Sequence, residues 1–539
     1  MAGKNMRHMV KSALFGLGLA AAAFVMPGQA SAADNKVCVG CHDQVKEFHA
    51  RGKHSKLSCT NCHDKTDAHL KDASVKPVTR TDHAVCGGCH KEQYESFGVL
   101  NLASKAKVEK ASFKSRSPLF DKLIAGHGFS KEHDEPRSHG FMLVDHLIVD
   151  RAYGGRFQLD SWKDITNAKD AVKDAWLVVK DKEPSTSDQK PFIAQGAMAA
   201  NSVCLNCKTQ DHILKWKYMG DPDPNAAWSR TSKPVEFVRD LKHALNCFMC
   251  HDPHSTEPRV VRDALIDAVV VRGKGTYPYD AKKSAEVTMQ KVDFRGFRSI
   301  GILNKPDSNL MCAQCHVEYN CNPGTNPATG EKIGMDSRLT NFFPWSNVMD
   351  LQAVYKEAGF KDFKHATTGA LLTKLQHPEA ETFWGSAHER AGVECKDCHM
   401  PRVKKGNKTY TDHGQRSARY MKKETCVKCH PTWSAEEAEY QIDSIQNYTK
   451  GKITKAEFWL GALIDKTYEA KQAGVPDEAL AKAREAHDSA HILWEWWTAE
   501  NSDGFHNPAM ARESLTKSIT ISQDAIKALD EAIAAKKAK

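Results

Sequence analysis

The order of hydrophobic and polar positions changes character near residue 431. Beyond it the pattern is that of long amphipathic helices, and no further cysteine occurs. Ser434-x-x-Glu437 and Thr454-x-x-Glu457 each resemble the capping box that begins a helix. Gly474 is typical of a helix end, whereas Pro476 and Pro508 are typical of helix starts. We therefore predict long helices over 434–539 that form a bundle core, an oligomer interface or both.

The first 32 residues resemble a secretory signal peptide. A basic start is followed by an apolar run over residues 13–26, and Ala30-Ser31-Ala32 offers a small-x-small cleavage site. A membrane anchor is the alternative, but the run is short for spanning a bilayer. We expect cleavage near Ala33 and a periplasmic protein without a transmembrane segment.

Sixteen of the seventeen cysteines fall into eight Cys-x-x-Cys pairs. Two thiols at this spacing lie on one side of a helical turn, where they can add to both vinyl groups of one haem. A histidine directly after the second cysteine is then carried under the ring to bind iron. Seven pairs have this histidine, and Lys208 takes its place in the fourth. The predicted attachment cysteines are Cys38, Cys41, Cys59, Cys62, Cys86, Cys89, Cys204, Cys207, Cys247, Cys250, Cys312, Cys315, Cys395, Cys398, Cys426 and Cys429.

The protein is thus predicted to be a multihaem cytochrome c with eight haem c groups. Its proximal iron ligands would be His42, His63, His90, Lys208, His251, His316, His399 and His430. Disulfides and structural zinc are the alternatives, but neither needs a histidine directly after each pair. Eight porphyrins would also supply the hydrophobic mass that a chain with 41% apolar residues lacks.

The motif spacing and the terminal helices suggest four regions. These are a signal peptide over 1–32, a triple-haem module over 33–125, a pentahaem domain over 126–433 and the long-helix region over 434–539. We find few convincing strands, so the predicted fold is mainly α.

The formal net charge of +9 does not indicate a nucleic-acid partner. Removing the signal takes away three cations, Lys4, Arg7 and Lys11, and leaves +6. Sixteen haem propionates would offset that charge. The chain also has no basic stripe interleaved with aromatic residues.

Lys208 marks the haem that is most suited to chemistry. An amine must lose its proton to bind iron, which costs free energy that a histidine ligand would not. The exception therefore indicates different axial electronics at one iron. The alternative is that lysine merely substitutes for histidine in an electron-transfer haem.

At these motifs the chain resembles the ammonium-forming cytochrome c nitrite reductases. Cys204-Leu-Asn-Cys207-Lys208 with four later His-type motifs looks like their catalytic part. His316-Val-Glu318-Tyr319 and Lys374-Leu-Gln376-His377 look like their calcium and catalytic segments. Pro136-Arg137-Ser-His139 is similar to another family element, with serine in place of glycine, and Arg151 follows at the family's spacing. The chain has three additional haem motifs near its N-terminus. It therefore resembles more closely the octahaem nitrite reductases, a group of the same superfamily.

The resemblance implies a six-electron reduction of nitrite to ammonium at the Lys208 haem. Arg151 and His377 would donate hydrogen bonds to nitrite, and Tyr319 would supply protons. Calcium would be bound by the side chains of Glu318 and Gln376 and by the carbonyls of Tyr319 and Lys374. The octahaem group can also join a Tyr-x-Cys pair, here Tyr319 and Cys321, through a thioether; a spare thiol is the alternative.

The resemblance also implies four distal iron ligands. His139 would serve the haem of Cys312/Cys315, His413 that of Cys247/Cys250, His388 that of Cys426/Cys429 and His506 that of Cys395/Cys398. For the three N-terminal haems the candidates stay open: His49, His54, His69, His83 and His127.

Three other functions remain open, one of them that of a tetrathionate or sulfite reductase. An octahaem hydroxylamine-oxidising cytochrome runs related chemistry in reverse but ordinarily has histidine where this chain has Lys208. A pure electron conduit would bind no substrate. The expected partners are nitrite, an electron-donor protein or quinol-linked cytochrome and further copies of the chain, and sulfite, hydroxylamine or nitric oxide are conceivable side substrates.

Overall fold

Helices dominate the described secondary structure, which confirms the prediction of a mainly α fold. The computed structural model describes residues 35–100, 119–127, 138–153, 155–159, 165, 168–182, 200–220, 226–293 and 298–538, with the backbone alone at 150, 151, 168 and 220. The predicted signal peptide and Pro136–Arg137 lie outside these ranges. Within them, no helix combines the length and the apolar character needed to cross a membrane.

The described chain divides into two units. The two-motif unit comprises residues 35–43 and 56–80, and it carries the first two Cys-x-x-Cys-His motifs. Its elements are α1 Asn35–Cys41, β1 His63–Asp64, α3 Thr66–Lys71 and β2 Val78–Thr79, with β1 antiparallel to β2. The main unit comprises residues 44–55 and 81–538 and carries the other six motifs. The predicted domain boundaries stay a prediction.

Short helices joined by loops make up most of the main unit before residue 434. They are α2 Asp43–Arg51 (its first residue belonging to the two-motif unit), α4 His83–Gly87, α5 Lys91–Phe97, α6 Phe120–Leu123, α7 Met142–Ile148, α8 Asp150–Tyr153, α9 Ala168–Lys173, α10 Ser202–Leu205, α11 Gln210–Lys215, α12 Pro234–Phe237, α13 Asp263–Ile266, α14 Ala281–Glu286, α15 Ser308–Cys312, α16 Leu351–Ala358, α17 Glu379–Phe383, α18 Ala387–Arg390, α19 Cys395–His399 and α20 Cys426–Cys429. Several of these short helices contribute to separate, smaller hydrophobic cores, for example through Leu265 of α13 and Leu143 of α7.

Strands in the main unit are short and antiparallel. The largest sheet has three strands in the order β5 Arg259–Val260, β7 Ser299–Leu303 and β6 Met289–Asp293. The others form pairs: β3 Phe157–Gln158 with β4 Lys180–Asp181, β8 Gly324–Thr325 with β9 Lys332–Ile333, β10 Phe363–Lys364 with β11 Leu371–Leu372, and β12 Arg402–Lys405 with β13 Lys408–Thr411.

Three long helices end the chain: α21 Ala435–Gln472, α22 Asp477–Ala499 and α23 Pro508–Lys537. The Ser434 side chain caps α21 by accepting a hydrogen bond from the Glu437 N–H at 3.1 Å. Gly474, at φ +67°, lies beyond the end of α21, and Pro476 is the N-cap of α22, as predicted. We call these three helices the C-terminal bundle.

The prediction of a second helix start at Thr454 is wrong. Thr454 lies inside α21, and its hydroxyl donates to the Lys450 carbonyl one turn earlier. Glu457 is buried and accepts a hydrogen bond from the Trp494 indole instead of closing a cap. The contact with Trp494 of α22 thus gives Glu457 a role in packing, although its local pattern suggested a helix cap.

The C-terminal bundle contains much of the largest hydrophobic core. Trp494, Trp496 and Trp497 of α22 have no exposed surface and lie in the same core as Leu460 of α21 and Leu515 of α23. The core also includes α6, α16 and β11 of the main unit. Helix α22 is therefore the central element through which the bundle contacts the segment after β11.

Candidate functional site

Most haem motifs form a helical turn that carries the predicted proximal histidine. In five of them the histidine N–H donates to the carbonyl of the first cysteine, four residues earlier: at 3.0 Å for His42, 2.9 Å for His90, 3.0 Å for His251, 3.0 Å for His316 and 2.8 Å for His430. His63 instead begins strand β1. Lys208 instead donates to Leu205, three residues earlier, at 3.1 Å. All seventeen cysteines are free. The pairs thus form no disulfides, and the motifs with this turn have the one-sided geometry that thioether attachment needs.

Several of these histidines lie opposite a second histidine. The ring centroids are 6.0 Å apart for His139 and His316, 6.4 Å for His388 and His430, 6.2 Å for His399 and His506, and 6.2 Å for His54 and His90. In the two-motif unit His42 and His69 are 6.0 Å apart. Bonds of about 2 Å from imidazole to a transition metal, with the centroid about 1 Å further, would place two axial rings about 6 Å apart. The spacing therefore fits a metal between each pair.

The remaining predicted distal histidines have other surroundings. Burial, and after it the nearby His413, lower the pKa of His251 to about 4. The His251 and His413 rings are therefore neighbours. The Nε2 atom of His83 lies 2.6 Å from the Leu245 carbonyl, and the His127 ring packs edge-on against Phe363 at 5.0 Å. His49 lies half-buried on α2. The assignment of all these rings as iron ligands stays a prediction.

Cysteines from different motifs approach one another in the main unit. The Cys207 thiol is within hydrogen-bonding reach of Cys315, and Cys312 is within reach of Cys395. Cys86 of the third motif contacts Cys247 of the fifth in the same way. Groups attached to these cysteines would consequently be close neighbours, as electron transfer requires.

Tyr319 and His377 meet beside the Lys208 motif. Their ring centroids are 6.4 Å apart, and Lys208 is among the charges that act on His377. Burial lowers the pKa of His377 to about 3, so this imidazole is neutral at neutral pH. Burial also raises the pKa of the Tyr319 phenol well above its usual range, which keeps its proton in place. The neutral side chains of Tyr319 and His377, both able to donate a hydrogen bond, therefore lie side by side near the Lys208 motif.

The placement of Arg151 and Cys321 is less complete. Arg151 lies in α8, and its side chain is outside the described residues. Cys321 is buried, and its thiol is within hydrogen-bonding reach of Cys204 while Tyr319 is also close. The two potential partners of the unpaired cysteine are thus an attachment cysteine and the predicted cross-link residue.

Glu379 and Asn501 orient His377, and the sequence interpretation gave neither of them a role. Asn501 Nδ2 lies 3.4 Å from His377 Nδ1 and 2.5 Å from Glu379 Oε1. The other oxygen of Glu379 lies 3.3 Å from His316 Nδ1. Burial opposes ionisation of Glu379, yet the hydrogen bond with His316 and the charges around it lower its pKa to about 2. This carboxylate links a predicted iron ligand to a predicted catalytic residue.

Glu318 is buried without full charge compensation. Its oxygens accept from the Tyr355 hydroxyl at 2.8 Å and from the Gln376 N–H at 2.7 Å. Burial raises the pKa of Glu318 well above its ordinary value, and burial raises that of nearby Asp362 to about 7. A hard cation with oxygen ligands would offset this negative charge. Among the described residues, no three His, Cys, Asp or Glu side chains surround a shared metal position, so any calcium here needs amide and carbonyl ligands.

A buried cluster of Lys374, Glu495 and His491 joins α22 to the segment that carries Gln376 and His377. Lys374 Nζ lies 2.8 Å from Glu495 Oε1, and Glu495 Oε2 lies 2.8 Å from His491 Nε2. Lys374 also donates to the Leu375 carbonyl at 2.7 Å. Glu495 and His491 have no exposed surface. Their four-residue spacing on a predicted helix was a visible signal, but only the fold shows that Lys374 is their partner.

The model of the cytochrome c552 family matches residues 174–539. Cytochrome c nitrite reductase subunit NrfA of Nitratidesulfovibrio vulgaris is 26% identical over 456 residues, which is 80% of this chain and 72% of that protein. Cytochrome c-552 of Parabacteroides distasonis is 26% identical over 390 residues, 72% of this chain, and the match spans 63% of its own length. A solved structure of NrfA from Desulfovibrio desulfuricans, described with two calcium sites, has the same fold. Its TM-score is 0.59 at 24% identity, over 84% of this chain and 86% of that one.

The family match covers more than half of the chain, including five of the eight Cys-x-x-Cys motifs. Those motifs and the paired histidines fit the haem c that defines such proteins. The chain belongs to the cytochrome c552 family, within the cytochrome c nitrite reductase superfamily.

Proposed function

We propose that this protein is an exported octahaem oxidoreductase that reduces nitrite to ammonium. Six electrons and eight protons convert one nitrite into one ammonium ion and two water molecules. The observation that carries the proposal is the pairing of Tyr319 with His377 beside the Lys208 motif. Relatives named nitrite reductase support it. The alternatives are an octahaem hydroxylamine-oxidising cytochrome and a non-catalytic conduit.

The Lys208 haem would supply the iron that binds and reduces the nitrogen of nitrite. His377 is neutral, and donation from Asn501 to its Nδ1 places the proton on Nε2, which would hydrogen-bond a substrate oxygen. Tyr319 keeps its proton because burial opposes its ionisation, and it would donate that proton as charge develops on the oxygen. Arg151 would attract and hold the anion. Hydroxylamine, nitric oxide or sulfite would react as side substrates.

The other seven haems would serve electron transfer. Their proximal ligands would be the seven motif histidines, with His139, His388, His413 and His506 opposite four of them and His54 and His69 opposite two more. The donor would be a protein or a quinol-linked cytochrome in the periplasm. A homo-oligomer would form through the long helices.

Calcium would lie between the Glu318 carboxylate, the Gln376 side chain and the carbonyls of Tyr319 and Lys374. The buried, poorly compensated charge of Glu318 supports this site, because a cation would remove the cost of burying it. Through Tyr319 and Gln376 the ion would hold both donor side chains in place. In Glu318→Ala we expect less bound calcium and slower turnover, whereas unchanged calcium and turnover would refute the assignment.

A thioether would join Tyr319 to Cys321. Forming the C–S bond removes one hydrogen atom from each residue, a two-electron oxidation in which ferric haems would be the oxidant. Peptide mass mapping would detect a linked fragment that lacks two hydrogens. A full yield of unlinked peptides would rule the cross-link out.

The decisive experiment is nitrite turnover with a reduced viologen donor, assayed as ammonium. We expect activity in the wild type, a loss of about 10- to 100-fold in Lys208→His, and little change in Lys233→His at an exposed position. Haem content by mass must be equal in all three. No ammonium from a fully loaded wild type would overturn the function.

A further inference from the structure

Two buried arginines each contact the loop of a different haem motif. Arg259 Nε donates to the carbonyl of Phe248, which lies between Cys247 and Cys250, at 2.6 Å. Arg262 Nε donates to the carbonyl of Gln314, which lies between Cys312 and Cys315, at 3.3 Å. The two arginines are 4% and 0% exposed. The chain thus places one cation against each of two neighbouring attachment loops.

Gln314 fixes the distance between these loops. Its side-chain oxygen accepts from the Val261 N–H at 2.7 Å, and its amide nitrogen donates to Met311 at 3.0 Å and to Met249 at 3.3 Å. Met249 belongs to the Cys247 motif, whereas Gln314 belongs to the Cys312 motif. The arginines are therefore held in place relative to both motifs by a packed polar network.

The two cations differ in their ion pairs and in their hydrogen-bond partners. Arg259 is ion-paired with Asp252 at 3.1 Å, and Asp252 is 1% exposed. Arg262 Nη2 donates to a neutral partner, Asn341, at 2.7 Å, and its Nη1 is buried without a hydrogen-bond partner.

The carboxylate nearest to Arg262 is already engaged. Asp263 lies 3.7 Å from Arg262 Nη1. Its Oδ2 accepts from the Trp216 indole at 2.9 Å and from the Met219 N–H at 2.7 Å. Arg262 therefore has a longer ion pair, with a carboxylate that it shares with other donors, in place of the 3.1 Å pair of Arg259.

The surroundings of Arg262 connect it to two haem motifs. Cys207, next to Lys208, and Cys315 are both among the thiols on which its charge acts. A cation in a low-dielectric interior stabilises a neighbouring group that gains an electron, because reduction makes that group more negative. The potentials of haems depend on such local charges as well as on their ligands.

We propose that Arg262 is a positioning residue that sets how electrons are distributed among neighbouring haems. Its charge, which is paired only at 3.7 Å with a shared carboxylate, raises the reduction potentials of the haems attached at Cys207 and Cys315 above the value set by their axial ligands. Arg259, neutralised by Asp252, has no such effect on the haem attached at Cys247. Electrons are thereby drawn toward the Lys208 motif. The inference rests on the proposed haem attachment and not on the identity of the substrate.

Potentiometric titration of the holoprotein tests this inference without any substrate. Visible spectra would follow all haems, and electron paramagnetic resonance would resolve the Lys208 haem. In Arg262→Gln we expect lower midpoint potentials for that haem and for at least one other. Arg262→Lys keeps the charge and should stay near the wild type, as should Arg512→Gln at an exposed position of α23.

Asn341→Asp provides a second variant if Arg262→Gln does not load its haems. It turns the neutral partner of Arg262 into a carboxylate and should lower the same potentials with the guanidinium still present. Unchanged potentials in a fully loaded Arg262→Gln or Asn341→Asp would overturn the proposal. So would equal shifts in Arg262→Lys and Arg262→Gln, because geometry rather than charge would then be responsible.

Discussion

The two-motif unit and the C-terminal bundle stabilise themselves in opposite ways. Among the described residues 35–43 and 56–80 no hydrophobic side chain is buried, and Val37, Leu70 and Val78 are 52%, 45% and 44% exposed. In the bundle, Trp494, Trp496 and Trp497 are wholly buried. A unit without a core of its own cannot offset its conformational entropy. We therefore expect the two-motif unit to depend on attached haem for its stability and the C-terminal bundle to depend on its own side chains.

The largest expected effect comes from removing a haem of the two-motif unit. Cys59→Ala with Cys62→Ala prevents attachment at the second motif, so the apolar side chains around it have nothing to pack against. We expect residues 35–80 to become sensitive to limited proteolysis while residues 435–537 stay resistant. Mass mapping of the fragments measures this. Equal resistance of both regions would contradict the comparison.

A cavity in the bundle should be nearly as damaging. Trp497 is fully buried, and its indole donates to Ser514 at 2.7 Å. Trp497→Ala should lower the free energy of unfolding by about 3–5 kcal/mol, measured by urea denaturation of the holoprotein. Tyr440→Ala, at a site that is 68% exposed on α21, serves as the control. Equal stabilities of the two variants would mean that α22 is not the core of the bundle.

Replacement of Glu495 tests whether the C-terminal bundle also holds the candidate site in place. Glu495→Gln leaves Lys374 buried beside a neutral partner, so stability should fall by about 3 kcal/mol. Turnover should fall with it, mainly in kcat, because the segment with Gln376 and His377 loosens. Glu485→Gln, exposed on the same helix, should change neither property. A variant with normal kcat and calcium content would show that bundle and site are independent.

The smallest expected effect is a pH dependence of the free energy of unfolding, which comes from His243 and Asp211 in the main unit. The hydrogen bond with Asp211 raises the pKa of His243; burial opposes ionisation of Asp211, but His243 lowers its pKa overall. The raised histidine stabilises below its ordinary pKa of 6.5, and the lowered aspartate stabilises above its ordinary 3.8. Their full contribution thus falls between these values, and it is lost as the pH rises through the raised pKa of His243.

Asp211→Asn should cost about 1 kcal/mol at pH 5.5, a low value because solvent partly screens His243. The loss should be smaller at pH 8.5. Thermal unfolding at both values measures it, with Asp240→Asn, on the exposed surface, as the control. A loss that is the same at both pH values would rule out the charged pair.

Much of the site is local in the sequence. The eight pairs of thiols and the residue that follows each of them lie within five positions, so the spacing alone predicts the attachment chemistry. His316, Glu318 and Tyr319 are likewise adjacent, and their family pattern predicts their roles. The long helices could be predicted because their start and end residues, Ser434, Gly474 and Pro508, act through nearby backbone groups.

Other features depend on residues that are far apart in the chain. Thr454 has the local pattern of a cap, yet packing against α22 makes it part of a continuous helix. Glu379 and Asn501, or Lys374 and Glu495, meet only because the bundle folds onto the segment after β11. The different compensation of Arg259 and Arg262 likewise depends on which carboxylate lies near each of them. The sequence by itself determined which groups can carry haem, and the tertiary structure decided which buried charges surround them, because burial and pairing arise only when distant segments pack.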